Sequence, residues 1–173
     1  MSAPRTLPVR SQAFVSAVGC ALLSASCTDG GTGVGNGACG SFGSELRIED
    51  KLRQESTTFI SGEPITFNLR ITNHGDSPAT LSYPDGCTSI RLVVSYSRGR
   101  DVFDNMPAGI VCTAQVRTFT YAPREAKEFP LVWNQTPSSG GAQVPPGGYT
   151  VDARDRSLEC AGDLDRGGAF AIQ

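Results

Sequence analysis

The sequence has few of the side chains that enzymes and nucleic-acid-binding proteins rely on. It contains one histidine, one tryptophan and two methionines among 173 residues, and its only lysines are Lys51 and Lys127. It has no Lys/Arg cluster, and its formal net charge is −2, so we expect no nucleic-acid partner. GxSxG, P-loop and HExxH patterns are also missing. These absences predict a protein that is not an enzyme and uses no cofactor.

The sequence also lacks an apolar run of the roughly 20 residues that a membrane-spanning helix needs. The mostly apolar stretch AFVSAVGCALLSA, residues 13–25, instead has the length of an export-signal core. Arg5 and Arg10 precede it without any acid, and small residues lead from it to Cys27. This order predicts a bacterial lipoprotein signal at residues 1–26 and a lipid anchor on Cys27, although Leu23 stands four residues before the cysteine where three is usual.

Other interpretations of this N-terminus stay open. Cys20 fits a looser form of the same pattern, simple secretion by cleavage nearby is a second alternative, and a cytoplasmic protein with an unusual N-terminus is a third. Removal of residues 1–26 takes away two arginines and no acid, so the net charge falls from −2 to −4. We expect an exported, membrane-anchored protein of the bacterial cell envelope, with a secreted or periplasmic protein as the alternative.

Six cysteines in an exported chain indicate a disulfide framework. With Cys20 removed and Cys27 lipidated, the four that remain allow three pairings. We predict Cys87–Cys112, a staple across a central loop, and Cys39–Cys160, which would join the two ends of the domain. No CxxC pair is present and the single histidine is distant in sequence, so we predict no metal site.

Residues 27–43 are rich in Gly, Thr, Ser and Asn and are predicted to form a flexible tether. Residues 44–173 are predicted to form one domain of short strands separated by turn signals. In Ile65–Asn73 apolar and polar residues alternate strictly, which predicts a half-buried antiparallel strand. The other predicted strands are Glu45–Arg53, Ala79–Tyr83, Ile90–Tyr96, a short one near Val102–Phe103, Val116–Tyr121, Glu128–Asn134, Gly148–Arg154 and Ala169–Ile172. The pattern predicts an all-β, antiparallel, immunoglobulin-like β-sandwich of about 7–9 short strands.

Three segments, in the right order, resemble one known family. They are EPITFNLRITNHGDSPATLSY from Glu63, YAPREAKEFPLVWNQ from Tyr121 and PPGGYTVD from Pro145. Together they resemble the BsuPI intracellular proteinase inhibitor family over about residues 55–155. The resemblance implies an immunoglobulin-like fold and, by the family's name, inhibition of an intracellular serine protease. An exported chain with disulfides would not meet such a protease, so only the fold is carried over.

The residues that could act in catalysis, metal binding or ligand binding are better explained by structural roles. His74 lies in the turn NHGDSP and has no assignable nucleophile, so we predict a turn role for it. Acidic pairs such as those of Glu159–Gly168 do not match a calcium loop, although a calcium site there remains an alternative. Trp133 would share a strand face with Phe129 and Leu131, which predicts a core position.

Two long loops are the places where we expect recognition, because binding residues concentrate on loops held by a rigid scaffold. One loop is FDNMPAGIV, residues 103–111, beside a predicted disulfide, and the other is TPSSGGAQVPPGG, residues 136–148. The candidate contact residues are Asp104, Asn105, Met106, Ile110, Val144, Pro145 and Pro146.

The sequence therefore favours a monomeric, non-enzymatic, lipid-anchored domain that binds another envelope protein through its loops. An extracytoplasmic proteinase inhibitor, which would insert a stapled loop into a protease cleft, is the second hypothesis. A purely structural accessory domain is the third.

Overall fold

The computed structural model describes residues 38–173, which form an all-β, antiparallel-dominated sandwich and confirm the predicted fold class. A single 3₁₀ turn, Ala38–Ser41, precedes ten strands. The strands are β1 (Phe42–Glu49), β2 (Thr58–Phe59), β3 (Ile65–Asn73), β4 (Ala79–Tyr83), β5 (Ile90–Tyr96), β6 (Asp101–Asp104), β7 (Arg117–Tyr121), β8 (Ala126–Trp133), β9 (Gly147–Asp155) and β10 (Arg166–Ile172).

The strands form three sheets. One has the order β1-β3-β8, a second the order β2-β10-β9-β5-β6, and β4 pairs with β7 in a small third sheet. Every pairing is antiparallel apart from that of β2 with β10. The turn between β7 and β8 is short, yet these consecutive strands belong to different sheets.

Strand boundaries follow the sequence closely where turn signals flank the alternating pattern. The predicted bounds of β3, β4 and β5 are those observed. The first strand was predicted at Glu45–Arg53 but runs over Phe42–Glu49. It ends there because Asp50 Oδ1 accepts hydrogen bonds from the backbone N–H groups of Leu52 and Gln54, which close a turn. Residues 38–43, assigned above to the tether, thus form the 3₁₀ turn and the start of β1.

The strand β3 is buried on both faces, so its prediction as half-buried is wrong. Its even-numbered Thr66 and Asn68 are only 5% and 2% exposed. The amide of Asn68 lies under the acids of both neighbouring strands, because its Nδ2 donates to Glu49 Oε1 at 3.4 Å and to Glu128 Oε2 at 3.1 Å. A central strand between two others is covered by their long side chains, and the alternating pattern does not reveal this.

Trp133 lies at the centre of the aromatic core, which confirms the predicted core position. It is 1% exposed, and its Nε1–H donates to Thr136 O at 2.8 Å. Its ring lies 6.3 Å from Phe67, 5.9 Å from Phe103 and 6.2 Å from Tyr149, centroid to centroid. Residues of both large sheets thus pack around one tryptophan, as in other sandwich domains.

Both predicted disulfides are present. Cys39–Cys160 joins the 3₁₀ turn to the loop after β9, and Cys87–Cys112 joins the loops that precede β5 and β7. The corresponding Cα atoms are 5.1 Å and 5.2 Å apart. Disulfides of this kind persist in oxidising compartments outside the cytoplasm. Between residues 38 and 173, no helix has the length and apolar character that crossing a membrane requires.

Candidate functional site

The connection from β6 to β7, residues 105–116, is closed at its base by covalent and hydrogen bonds; we call it the stapled loop. Cys112 within it is bonded to Cys87. Next to the disulfide, Gly86 N–H donates to Thr113 O at 2.9 Å. Arg117, the first residue after the loop, donates from Nε to Asp85 O at 3.2 Å and from Nη2 to Cys87 O. The end of the loop is therefore fixed to the segment before β5.

Three apolar side chains of the stapled loop face solvent. Val111 is 92% exposed, Val116 58% and Ile110 48%. Exposed apolar groups on one short segment are a feature of interaction surfaces. Of the predicted contact residues, Ile110 is thus accessible, and Met106 is half-buried.

Asp104 and Asn105, predicted as contact residues, hold the loop in place through their side chains. Asn105 Oδ1 accepts from Leu92 N–H at 2.7 Å, and its Nδ2 donates to Ile90 O at 3.0 Å. The side chain thereby replaces a paired strand along the part of β5 that β6 does not reach. This arrangement explains how β6 can end after four residues.

Asp104 is tied to β5 by a two-point contact with Arg91. The guanidinium donates from Nη2 to Asp104 Oδ2 at 2.6 Å and from Nε to Oδ1 at 3.3 Å. Partial burial would raise the pKa of the Asp104 carboxyl, but the hydrogen bonds from Arg91 and from Met106 N–H together lower it below its usual value. The carboxylate is therefore held ionised as part of the loop's support.

The second predicted loop, residues 136–148, is attached to the first, and it ends at residue 146 because β9 begins at Gly147. Ser138 Oγ accepts from Asp104 N–H at 2.7 Å and donates to Asp104 O at 3.0 Å. Pro145 and Pro146 are exposed. Val144, in contrast, is only 2% exposed and packs in the core, so it is not available to a partner. The structure brings the two loops together, and it removes Val144 from their accessible surface.

The sequence did not indicate a cleft that lies where the three sheets meet; we call it the inter-sheet cleft. It has a volume of about 350 Å³. Its floor is formed by buried side chains of β3 and β5, and its walls by half-buried side chains of β7 and β8. The apolar lining residues are Phe67, Leu69, Ile90, Leu92, Phe119, Phe129 and Leu131. No sequence signal distinguishes them, since each occupies an ordinary inward position of its strand.

Polar groups also line the inter-sheet cleft. They belong to Ser89, Arg117 and Glu128. The guanidinium of Arg117 also donates to Ser89 Oγ at 3.3 Å. All three acceptors of Arg117 are neutral, and within residues 38–173 it forms no ion pair.

A buried carboxylate lies elsewhere in the core. Asp155 is 5% exposed and accepts from Tyr83 Oη–H at 3.0 Å and from Ser157 Oγ–H. Its backbone N–H donates to Asp165 Oδ1 at 2.9 Å. Burial raises the pKa of Asp155 in spite of these hydrogen bonds, and it raises the pKa of the Asp165 carboxyl as well.

The other candidate residues of the sequence have structural roles. His74 is exposed in the turn after β3, and its backbone N–H donates to Ser41 O at 2.6 Å. In the acidic segment 159–168, Glu159 Oε2 accepts from Ser82 N–H at 2.7 Å. Asp85, Cys87 and Cys112 come within metal-binding distance of one another, but both sulfurs are in a disulfide and cannot act as thiolate ligands.

The similar solved structures include two enzymes whose likeness to this chain is loose. A β-glucosidase from Erythrobacter marinus has a TM-score of 0.43 at 12% identity, over 77% of this chain and 15% of that one. The alkylpurine DNA glycosylase AlkC of Pseudomonas fluorescens has a TM-score of 0.42 at 11% identity, over 77% and 30%. The chain thus spans less than a third of the length of these structures, and none of their activities is carried to it.

The family comparison is more specific. None of the curated proteins matches the sequence. The sequence model of the BsuPI family, described as intracellular proteinase inhibitor, matches residues 52–159. That range includes nearly all of the sandwich from the turn after β1 to the loop after β9, and it contains the stapled loop and the inter-sheet cleft. On this match, which covers more than half of the sequence, the chain belongs to the BsuPI intracellular proteinase inhibitor family.

Proposed function

We propose that this chain is a non-enzymatic, exported module of the bacterial envelope, anchored through a lipid on Cys27 and binding another protein through the stapled loop. Two disulfides support an extracytoplasmic location. The basic, apolar and small-residue order before Cys27 supports the anchor.

The observation that carries the binding role is the exposure of apolar side chains on a segment fixed at both ends. Ile110 and Val111 face solvent. Asn105 attaches the beginning of the loop to the sandwich, and Cys112 attaches its later part. A loop held in one conformation loses less conformational entropy when it binds, so more of the contact energy is available for affinity. The attachment of the second loop through Ser138 widens this surface.

Site-specific photocrosslinking in the native membrane tests this role. A photoreactive residue replaces Val111 in the full-length chain, and the matched control replaces Leu158, which is 60% exposed in a different loop. We expect a discrete crosslinked protein from position 111 that is lost when Ile110→Ser is added, and no such product from position 158. Equal products from both positions, or none from position 111, would contradict a binding role for the loop.

Proteinase inhibition is the second candidate function, and the family match favours it. In that case the stapled loop enters a protease cleft. The purified full-length chain is tested against extracytoplasmic serine proteases, with Val111→Asp as the variant and Leu158→Asp as the control. Inhibition that is lost in the first and kept in the second supports the hypothesis. A panel left uninhibited by micromolar protein excludes inhibition of those enzymes.

The anchor is tested separately. Mass spectrometry of the protein from its native membrane is expected to show an acylated N-terminal Cys27, and Cys27→Ser is expected to move the protein to the soluble fraction. An unmodified N-terminus near residue 27 would instead support secretion, and a retained Met1 would contradict export.

A further inference from the structure

We propose that the inter-sheet cleft binds a medium-chain aliphatic carboxylate, with the hydrocarbon chain between β7 and β8 and the carboxylate at Arg117. This inference is independent of the stapled loop's role in protein binding, because a different surface carries it.

The dimensions and lining of the cleft fit an apolar chain. Its volume of about 350 Å³ lies within the range of about 300–1,000 Å³ typical of small-ligand pockets. Phe67 and Leu69, which form its floor, are at most 1% exposed. A hydrocarbon chain above this floor would contact mainly the half-buried Phe119, Phe129 and Leu131, and it would lose water without leaving a polar group unpaired.

The walls of the cleft are apolar but incompletely covered. Phe119 and Phe129 meet edge to face with their centroids 5.7 Å apart, and both remain half-buried together with Leu131. These side chains pack against the core but lack a neighbour on the side of the cleft. Each would bury further apolar surface if a chain lay between the strands, and this burial favours binding.

The charge at the opening selects an anionic head group. Arg117 uses Nε and Nη2 for three neutral acceptors, and its Nη1 has no hydrogen-bond partner within residues 38–173. The carboxylate of Asp85, which interacts electrostatically with Arg117, is already engaged by Arg156, whose Nη2 lies 2.5 Å from Asp85 Oδ2. Two guanidinium groups therefore face one carboxylate, which leaves a local positive charge that a second carboxylate would neutralise.

Glu128, the acid that lines the cleft, does not cancel this charge. Glu128 Oε2 accepts from Asn68 Nδ2 at 3.1 Å, on the outer face of the β1-β3-β8 sheet. Arg47, on β1 beside Asn68, also interacts electrostatically with Glu128. The carboxylate of Glu128 is thus directed toward partners on its own sheet, and Arg117 is the cation left without an ionic partner at the cleft.

Calorimetric titration of the full chain carrying Cys27→Ser, which receives no lipid of its own, tests the proposal. The probes are decanoate, decanol and decyltrimethylammonium below their micellar concentrations. Decanoate is expected to bind with a saturable heat and more tightly than the other two. No saturable binding of decanoate, or equal affinity for the cationic amphiphile, would overturn the proposal.

Variants separate the contribution of the head group from that of the chain. Arg117→Gln is expected to weaken decanoate about tenfold or more, as loss of a hydrogen bond to a charged group does, and to leave decanol unchanged, while Arg117→Lys restores part of the affinity. Leu131→Trp should fill the cleft and abolish binding of both. Its control, Val132→Trp, changes the next residue of β8, which is 57% exposed on the opposite face, and should bind as wild type.

Nuclear magnetic resonance provides a readout that needs no variant to fold. Decanoate is expected to shift the signals of Phe119, Phe129 and Leu131 in the wild-type chain. Shifts confined to the stapled loop, or spread over the whole surface, would refute binding in the cleft even if Leu131→Trp fails to fold.

Discussion

The two disulfides should differ in their contribution to stability, because they close loops of very different length. Cys39–Cys160 spans 121 residues and Cys87–Cys112 spans 25, nested within the first. A crosslink stabilises mainly by restricting the unfolded chain, and the entropy removed grows with the logarithm of the loop length. With the inner disulfide intact, the outer one closes an effective loop of about 96 residues, worth about 4.7 kcal/mol, against about 3.5 kcal/mol for the inner one.

The burial of the outer cysteines also predicts a larger loss of stability when the outer disulfide is removed. Cys39 is 6% exposed and Cys160 is fully buried, whereas Cys87 and Cys112 are half-buried. Replacement of the outer pair by alanine therefore also leaves unfilled volume in the core, which adds to the loss. We expect Cys39→Ala/Cys160→Ala to destabilise the protein by at least about 1 kcal/mol more than Cys87→Ala/Cys112→Ala.

Urea denaturation of the two double variants and the wild type, followed by tryptophan fluorescence, measures this difference. Trp133 is a suitable reporter because it is buried among aromatic side chains. Equal losses, or a larger loss for the inner pair, would refute the ranking and show that native-state contacts of the stapled loop outweigh the chain entropy.

Three further perturbations follow from the buried polar groups. Asn105→Ala leaves the N–H of Leu92 without a partner and removes one of the two side-chain hydrogen bonds to the C=O of Ile90, which keeps that from Thr88, so it should lower the free energy of unfolding by about 2 kcal/mol. The control is the exposed Asn134→Ala, and an equal small loss in both would contradict the role of Asn105. Gln135→Ala removes the side-chain hydrogen bonds to Gly62 N–H and to the C=O groups of Ile60 and Glu63. It should lower the free energy of unfolding by at least as much as Asn105→Ala in the same assay, and a smaller loss would be inconsistent with this network. Because burial raises the pKa of Asp155 in the folded state, its contribution to stability is present below the unfolded pKa near 4 and is lost as pH rises through the folded value. As the pH falls from neutral toward about 4, the free energy of unfolding of the wild type should therefore rise relative to that of Asp155→Asn, and parallel pH profiles would exclude this effect.

Much of the fold follows from local sequence. The strict alternation of β3 and the turn residues after it were sufficient to place β3, β4 and β5 at their observed bounds. The same reasoning could not find β2, because two residues carry no period and its partner β10 lies more than 100 residues later in the chain. It also could not show that Asn68 is buried, since that depends on acids of both flanking strands.

For the candidate binding residues, local sequence likewise predicted the position in a loop but not the role of the side chain. Composition correctly placed the exposed prolines Pro145 and Pro146 and the accessible Ile110 in loops. It could not distinguish them from Asn105, whose amide replaces a strand, or from Val144, whose side chain enters the core. A loop residue that faces solvent cannot be told from one that supports the loop by its type alone. The difference depends on the groups that surround it in the fold, which for Asn105 are backbone atoms of β5 and for Val144 are side chains of the core.

The inter-sheet cleft has a topological cause. Consecutive antiparallel strands joined by a short turn usually pair with each other as a hairpin, but β7 pairs with β4 and β8 with β3. The two strands join different sheets on either side of the turn at residues 122–125, so Phe119 and Phe129 contact each other and remain half-buried. From local sequence alone, two amphipathic strands joined by a short turn would be expected to pair as a closed hairpin. The same separation that opens the cleft also leaves Arg117, at the far end of β7, above it, so one departure from local pairing accounts for both the apolar lining and the cation at its opening.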